Sequence, residues 1–288
     1  MEHPYYETFQ KISDLGIQLV YNTTSGGYHP LHWHEEIELL YQLNGHTTIQ
    51  IEGEKYQLPN KHLTVIDSGL VHSTYTYSDT SMFLCVHISK KYMERYIPDI
   101  HLYQIQCIPD MLTDDQFPEY RKICQMLEDL TRIYIEDSTA YYMEAEGIIL
   151  QTLAHLIRHF STHVTEYVPT TNNLSMTRIR VIITYVENHF HEQISLQDIA
   201  DYVGLGKEYF CRFFKKNMGI SFLQYVNEVR ISHIYQDLIQ TDLPIYEIAE
   251  NNGFLNQKLF NRMFKSIYGC TPSSARKAAE TYLYQSYN

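Results

Sequence analysis

The sequence predicts an α+β chain of two domains: a small β-barrel carrying a helical hairpin, then an all-α domain with two helix-turn-helix units. Three observations predict it. Residues 17–88 break into short apolar or β-branched runs divided by turn pairs. Beyond them, apolar residues recur at helical spacing. One helix-turn-helix pattern also occurs twice, about fifty residues apart.

The strands are Ile37–Leu43, Thr47–Ile51, Lys55–Leu58 and Leu63–Ile66, with Met82–Ile88 as a further one. Asn44-Gly45 and Glu52-Gly53 stand between the first three, as hairpin turns do. Short strands spaced this closely suit a small barrel or sandwich. Tyr120–Ile135 then places Ile123, Leu127, Leu130 and Tyr134 at helical spacing, and Glu144–Phe160 does so with Ile148, Leu150, Leu153, Leu156 and Ile157. Two such helices form a hairpin whose apolar stripe has to be buried, either on the barrel or on a second copy of the chain. Thr162–Ser175, with Pro169 and a run of Thr and Asn, reads as a linker. The domains expected are 1–163, a linker at 164–175, and 176–288.

The net charge of −12 seems to exclude a nucleic-acid partner until it is divided along the chain. Leu174–Asn288 holds 12 Lys and Arg against 11 Asp and Glu, leaving 10 against 23 in the rest. The acidity therefore belongs to the first domain, and a face of the second can be basic. Five scattered cysteines without a Cys-x-x-Cys pair suit reduced thiols in a cytosol. The first ten residues do not read as a signal peptide, and no run approaches the length of a membrane span. A cytoplasmic protein without a membrane partner is expected.

In the last domain, Ser195 caps a helix whose Leu196, Ile199, Ala200 and Val203 share one face. Gly204–Gly206 turns the chain into a second helix, with Tyr209, Phe210, Phe213 and Phe214 inward and Lys207, Glu208, Cys211, Arg212, Lys215 and Lys216 outward. Pro244–Gly253 repeats the first helix. The helix after Phe254 turns Leu259, Phe260, Met263 and Phe264 inward and Asn256, Gln257, Lys258, Asn261, Arg262 and Lys265 outward. Phe222–Ile239 connects the units. Met176–Arg276 resembles the AraC/XylS family of transcription activators, most specifically from Gly253-Phe254 through Phe264-Lys265 to Gly269-Cys270-Thr271-Pro272. The resemblance implies two recognition helices entering successive major-groove segments of double-stranded DNA. Lys207, Glu208, Cys211, Arg212, Lys215, Asn256, Gln257, Lys258, Asn261 and Arg262 are then the DNA-binding candidates. Three positions depart from the family: Gly206 in place of a capping Ser, Cys211 in place of a polar residue, and Ile234 in place of a small Ala.

In the first domain, Gly26 precedes His32-Trp33-His34, Glu38 and Gly45, and Gly69 precedes His72. These spacings resemble the two cupin motifs, the second with Lys61, Asp67 and Thr76 in place of Gly, Pro and Asn. The resemblance implies a cupin-like barrel in which His32, His34, Glu38 and His72 converge. Three readings of them stay open: a hydrogen-bonding pocket for a small molecule, a divalent transition metal site, or a structural cluster. Trp33 is either a stacking platform for a sugar ring or an ordinary packed aromatic.

A ligand-controlled DNA-binding regulator, an activator sensing a carbohydrate, is therefore expected rather than an enzyme. No cofactor is required. A homodimer and contact with RNA polymerase are expected with it. The alternative is a cupin metalloenzyme with a helical accessory domain.

Overall fold

The computed structural model describes residues 6–13, 17–24, 27–76, 81–136, 139–164 and 171–277. Gly26 and residues 165–170 of the expected linker lie outside them. The strands are β1 (Tyr6–Ser13), β2 (Ile17–Thr24), β3 (Gly27–His32), β4 (Glu36–Asn44), β5 (Thr47–Ile51), β6 (Glu54–Leu58), β7 (Leu63–Ile66), β8 (His72–Thr76) and β9 (Ser81–Ser89). They form two antiparallel sheets, ordered β1-β2-β9-β4-β7 and β3-β8-β5-β6. After β2 the chain crosses repeatedly between sheets, as in a cupin-like jelly roll. The two sheets make up the expected cupin-like barrel, and no ladder joins them among the described residues.

Glu52-Gly53 makes the expected hairpin turn, joining β5 to β6 with both residues at positive φ (50° and 94°). Asn44-Gly45 does not: β4 and β5 belong to different sheets, and this turn carries the chain across the sandwich. Alternation then assigns the faces. Ile37, Leu39 and Tyr41 of β4 and Leu84, Val86 and Ile88 of β9 face outward, while Leu40 and Cys85 join Ile49, Ile51 and Leu58 between the sheets.

A short helix α1 (Lys90–Met93) and strand β10 (Tyr103–Ile105) lead to the hairpin, α2 (Phe117–Glu136) and α3 (Tyr141–Phe160). Its stripe, with Ile123, Leu127, Leu130, Leu153 and Leu156 buried, shares one core with the outer face of the five-stranded sheet. Strand β11 (Ser161–His163) pairs with β10 behind the hairpin.

Helix α4 (Thr171–His189) begins inside the expected linker. It is followed by α5 (Leu196–Tyr202), α6 (Lys207–Met218), α7 (Phe222–Gln240), α8 (Ile245–Asn251) and α9 (Gln257–Tyr268). No helix among the described residues is long and apolar enough to cross a membrane.

Two of the departures in the second cupin-like motif have structural partners, and the third, Lys61, keeps at φ +61° a conformation that suits glycine. Buried Asp67 accepts from the Ser68 and Ile105 amides and pairs with Lys90 Nζ at 3.2 Å. Thr76 Oγ1 lies 3.2 Å from Thr47 Oγ1 between the sheets.

Candidate effector site and DNA interface

Strand β3 has alternation broken at a useful place. His29 pairs with Thr74 and His32 with His72, so one extra residue bulges out around Pro30-Leu31. Proline suits the bulge because it has no N–H to give the ladder. The bulge turns Leu31 outward, buried in the core of the first helix-turn-helix unit, and His32 inward against His72, ring centroids 4.1 Å apart.

All four predicted residues converge. Glu38 of β4 is buried, with Oε2 3.2 Å from His34 Nε2 and 3.0 Å from His72 Nε2; His32 completes a group whose donor atoms lie within 4.8 Å of one another. Two residues not singled out from the sequence join them, both on β9 at alternate positions facing inward. Cys85 Sγ donates to Glu38 Oε1 at 3.1 Å, and His87 Nε2 lies 3.8 Å from Oε2. Strand pairing of β4 with β9 sets Glu38 opposite His87, a long-range register that local spacing does not reveal.

The imidazoles are oriented by the main chain. Nδ1 of His32, His34 and His72 reaches the carbonyls of Pro30 (2.9 Å), Glu36 (3.1 Å) and Leu70 (2.8 Å). A neutral ring donating from Nδ1 keeps its Nε2 lone pair free. Buried His72 Nε2 makes no hydrogen bond, lying out of line with Glu38 despite their 3.0 Å separation. Burial alone would raise the Glu38 carboxyl, but contacts with His34, His72 and His87 outweigh it and hold it well below the usual carboxylate range. Burial, with His72 and His29 nearby, pushes His32 well below the ordinary imidazole value. Burial alone would lower His34, but its contacts with Glu38 and Glu36 together outweigh that and raise it.

Trp33 stands apart from this cluster. Its Nε1 donates to Thr184 Oγ1 of α4 at 3.2 Å. Its ring lines a cleft of about 390 Å³ with Arg180, Tyr185, His189 and Tyr202. The two domains also meet where Gln50 Nε2 donates to the Met218 carbonyl at 3.2 Å and Tyr28 to Glu228.

The helix-turn-helix units match in backbone detail. Gly204 and Gly253 turn at φ +68° and +75°, and the amides of Leu205 and Phe254 donate to the carbonyls of Ala200 and Ala249, both at 2.8 Å. Phe210 and Phe214 are buried as Phe260 and Phe264 are, and Gly219 and Gly269 end α6 and α9 left-handed. Arg230 of α7 donates to the Phe190 and Glu192 carbonyls at 2.7 and 2.6 Å, tying α7 to the segment between α4 and α5.

Lys207, Glu208, Arg212, Lys215, Gln257, Lys258, Asn261 and Arg262 are exposed on α6 and α9. Among the described residues, Arg212, Lys258 and Arg262 form no ion pair, which leaves their charge available to DNA. Three side chains sit differently from expectation. Tyr209 is exposed, 53%, instead of buried, since the next turn's phenylalanines fill the core. Cys211 is half-buried against that core. Asn256 precedes α9 and caps it, accepting from the Leu259 amide at 3.0 Å. Gly206, as its identity implies, offers α6 no side-chain cap, whereas Ser195 accepts from the Asp198 amide at 3.1 Å.

Comparisons with known proteins agree with this geometry. Residues 15–153 match the model of the AraC-like ligand binding domain, and residues 199–278 that of a helix-turn-helix domain. A helix-turn-helix-type transcriptional regulator of Bacillus subtilis (strain 168), YdeC, is 24% identical over 268 residues, 89% of each chain. A Staphylococcus aureus (strain MRSA252) regulator of the same type is 26% identical over 238 residues, 78% of this chain; the alignment spans only 30% of that longer relative. The fold resembles ToxT from Vibrio cholerae, with a TM-score of 0.50 at 13% identity, covering 91% of this chain and 98% of that one. The two matched models cover the sandwich with its hairpin and the helix-turn-helix units, and the chain belongs to the AraC family of transcription regulators.

Proposed function

We propose that this regulator is a cytoplasmic transcription activator switched by a small polar metabolite, a carbohydrate or close relative, bound at His32, His34, Glu38 and His72. The observation that carries the proposal is the construction of β3. Its inward His32 belongs to the polar cluster, while the adjacent Leu31 is buried in the DNA-binding domain's core. A ligand that pulls on His32 or His34 therefore acts on residues whose neighbours, Leu31 and Trp33, touch the helices supporting DNA recognition. The ligand favours one arrangement of the domains by its greater affinity for it. Activation includes a homodimer on DNA and contact with RNA polymerase.

A divalent transition metal fits the same residues. Three imidazoles anchored through Nδ1, a carboxylate, and an orphaned buried Nε2 on His72 are the donor set and outer support that zinc, nickel or iron use. Such an ion would polarise a sugar hydroxyl or carboxylate, while the protein's own groups orient the ligand.

The test is a thermal-shift screen of sugars, sugar acids and related metabolites against metal-free and metal-supplemented protein, followed by operator binding. A compound that raises Tm in the parent but not in His72→Ala, and changes operator affinity, supports the reading. No change in Tm or operator affinity across the panel overturns it.

A further inference from the structure

The hairpin carries a second group of donors, remote from the sandwich interior. His155 and His159 are one turn apart on α3 and share a face, ring centroids 5.8 Å apart and 26° from parallel. Glu119, in the first turn of α2, reaches across to them. Its Oε2 lies 3.2 Å from His155 Nδ1 and 3.7 Å from His159 Nε2. We propose that Glu119, His155 and His159 bind a divalent late transition ion, with Zn²⁺ the first choice, which clasps the start of α2 to the end of α3.

The spacing suits such an ion. Bonds of about 2.0–2.1 Å in tetrahedral geometry put neighbouring ligands about 3.3 Å apart. The observed separations of 3.2 and 3.7 Å bracket that value, and all three donor atoms lie within 4.8 Å of one another. Small rotations of two imidazoles complete the triangle. Two nitrogens converge on one carboxylate oxygen: the His155 pair is a hydrogen bond at 3.2 Å, but the 3.7 Å His159 pair is too long for one, so a cation engages both rings where a proton engages one.

That oxygen meets the His155 ring in a hydrogen bond of 3.2 Å, which an ion would replace, and the surroundings hold the helices in place. Lys122 Nζ takes the other oxygen, Oε1, at 2.7 Å. Gln116 Nε2 donates to the His159 carbonyl at 3.1 Å, and the Thr113 amide and hydroxyl both donate to Gln116 Oε1 at 3.1 Å. The junction is thus tied before any ion arrives, which lowers the ordering cost of binding. The three side chains are 20–33% accessible, so an ion can enter from solvent. Two imidazoles and one carboxylate are a set that zinc takes with a fourth position left for water. Softer or octahedral oxygen-seeking ions match less well: there is no thiolate, and only one carboxylate.

The test uses full-length His34→Ala/His72→Ala protein, which disables the cluster between the sheets, stripped with chelator and titrated with Zn²⁺ against a chromophoric competitor. One bound equivalent is expected, with a rise in Tm, and Co²⁺ substitution should give the visible absorption of a tetrahedral site. Adding His159→Ala should weaken that binding by on the order of 100-fold and abolish the band. Adding Glu119→Gln, which retains size and hydrogen bonding, should weaken it as well. The proposal is overturned if the double variant binds no zinc in the micromolar range, or if both further variants bind as tightly as it does. Loss of zinc only on removing His34 and His72 likewise overturns it, leaving the effector reading intact.

Discussion

The Tyr28 hydroxyl donates to Glu228 Oε2 at 2.6 Å, tying strand β3 to the helix that joins the two helix-turn-helix units. Burial raises the Glu228 carboxyl above its ordinary value, although the bonds from Tyr28 and Gln224 pull it down. A raised folded-state pKa means stability that is full below the unfolded value and lost as pH rises through the folded value. Glu228→Gln retains an acceptor for Tyr28 and should flatten that part of the stability–pH curve. Tyr28→Phe should cost about 1–3 kcal/mol by leaving the buried carboxylate a donor short. Urea unfolding across pH 5–8 reads both, and an unchanged slope in Glu228→Gln would remove this carboxyl from the account.

Arg262 and Cys211 occupy helices that correspond across the repeat, yet they should behave oppositely. Arg262 is exposed and unpaired among the described residues; Cys211 is half-buried. Arg262→Ala should weaken operator binding by about 1–3 kcal/mol if it reads a base edge, and lower the salt slope if it meets phosphate. Cys211→Ser should leave operator affinity within about threefold. Fluorescence anisotropy at several salt concentrations separates these outcomes, and undiminished binding by Arg262→Ala rules out α9 as a contact helix.

Much of this was legible from local pattern. Ser195, Gly204 and the spacing of phenylalanines announce the helix-turn-helix units because caps, turns and 3.6-residue periodicity are short-range physics. The four residues His32, His34, Glu38 and His72 were legible through their resemblance to the cupin motifs. Cys85 and His87 were not, since only the pairing of β4 with β9 brings them to Glu38. Nor was the position of Trp33, because a bulge in β3 and a partner 151 residues away decide it. Asn44-Gly45 misled for a related reason: its turn chemistry is sound, but which sheet the next strand joins is a tertiary matter.

Lys61 holds a left-handed conformation, φ +61°, which costs a side-chain-bearing residue about 1 kcal/mol. Its ammonium lies 3.5 Å from Glu128, an exposed pair of small value. Lys61→Gly should therefore be neutral to stabilising, by up to about 1 kcal/mol, despite glycine's larger entropy loss. Thermal unfolding checks it; a clear fall in Tm would mean that the Glu128 contact outweighs the strain.

Trp33 lies between two histidines of the polar cluster in sequence but is bonded to the DNA-binding domain in space. Its Nε1 donates to Thr184 Oγ1 on α4, and α4 packs into the core of the first helix-turn-helix unit. If ligand binding moves His32 and His34, Trp33 is the side chain that carries the movement across. Thr184→Val removes the acceptor while keeping the shape, so the sandwich and its ligand site stay intact. The variant should bind effector with unchanged affinity, yet lose part of the coupling, which in linked systems is about 1–3 kcal/mol. Measuring operator affinity with and without effector gives the coupling directly, and Trp33→Phe should reduce it in the same way. Full coupling in both variants would show that the signal passes instead through Leu31 or through Tyr28 and Glu228.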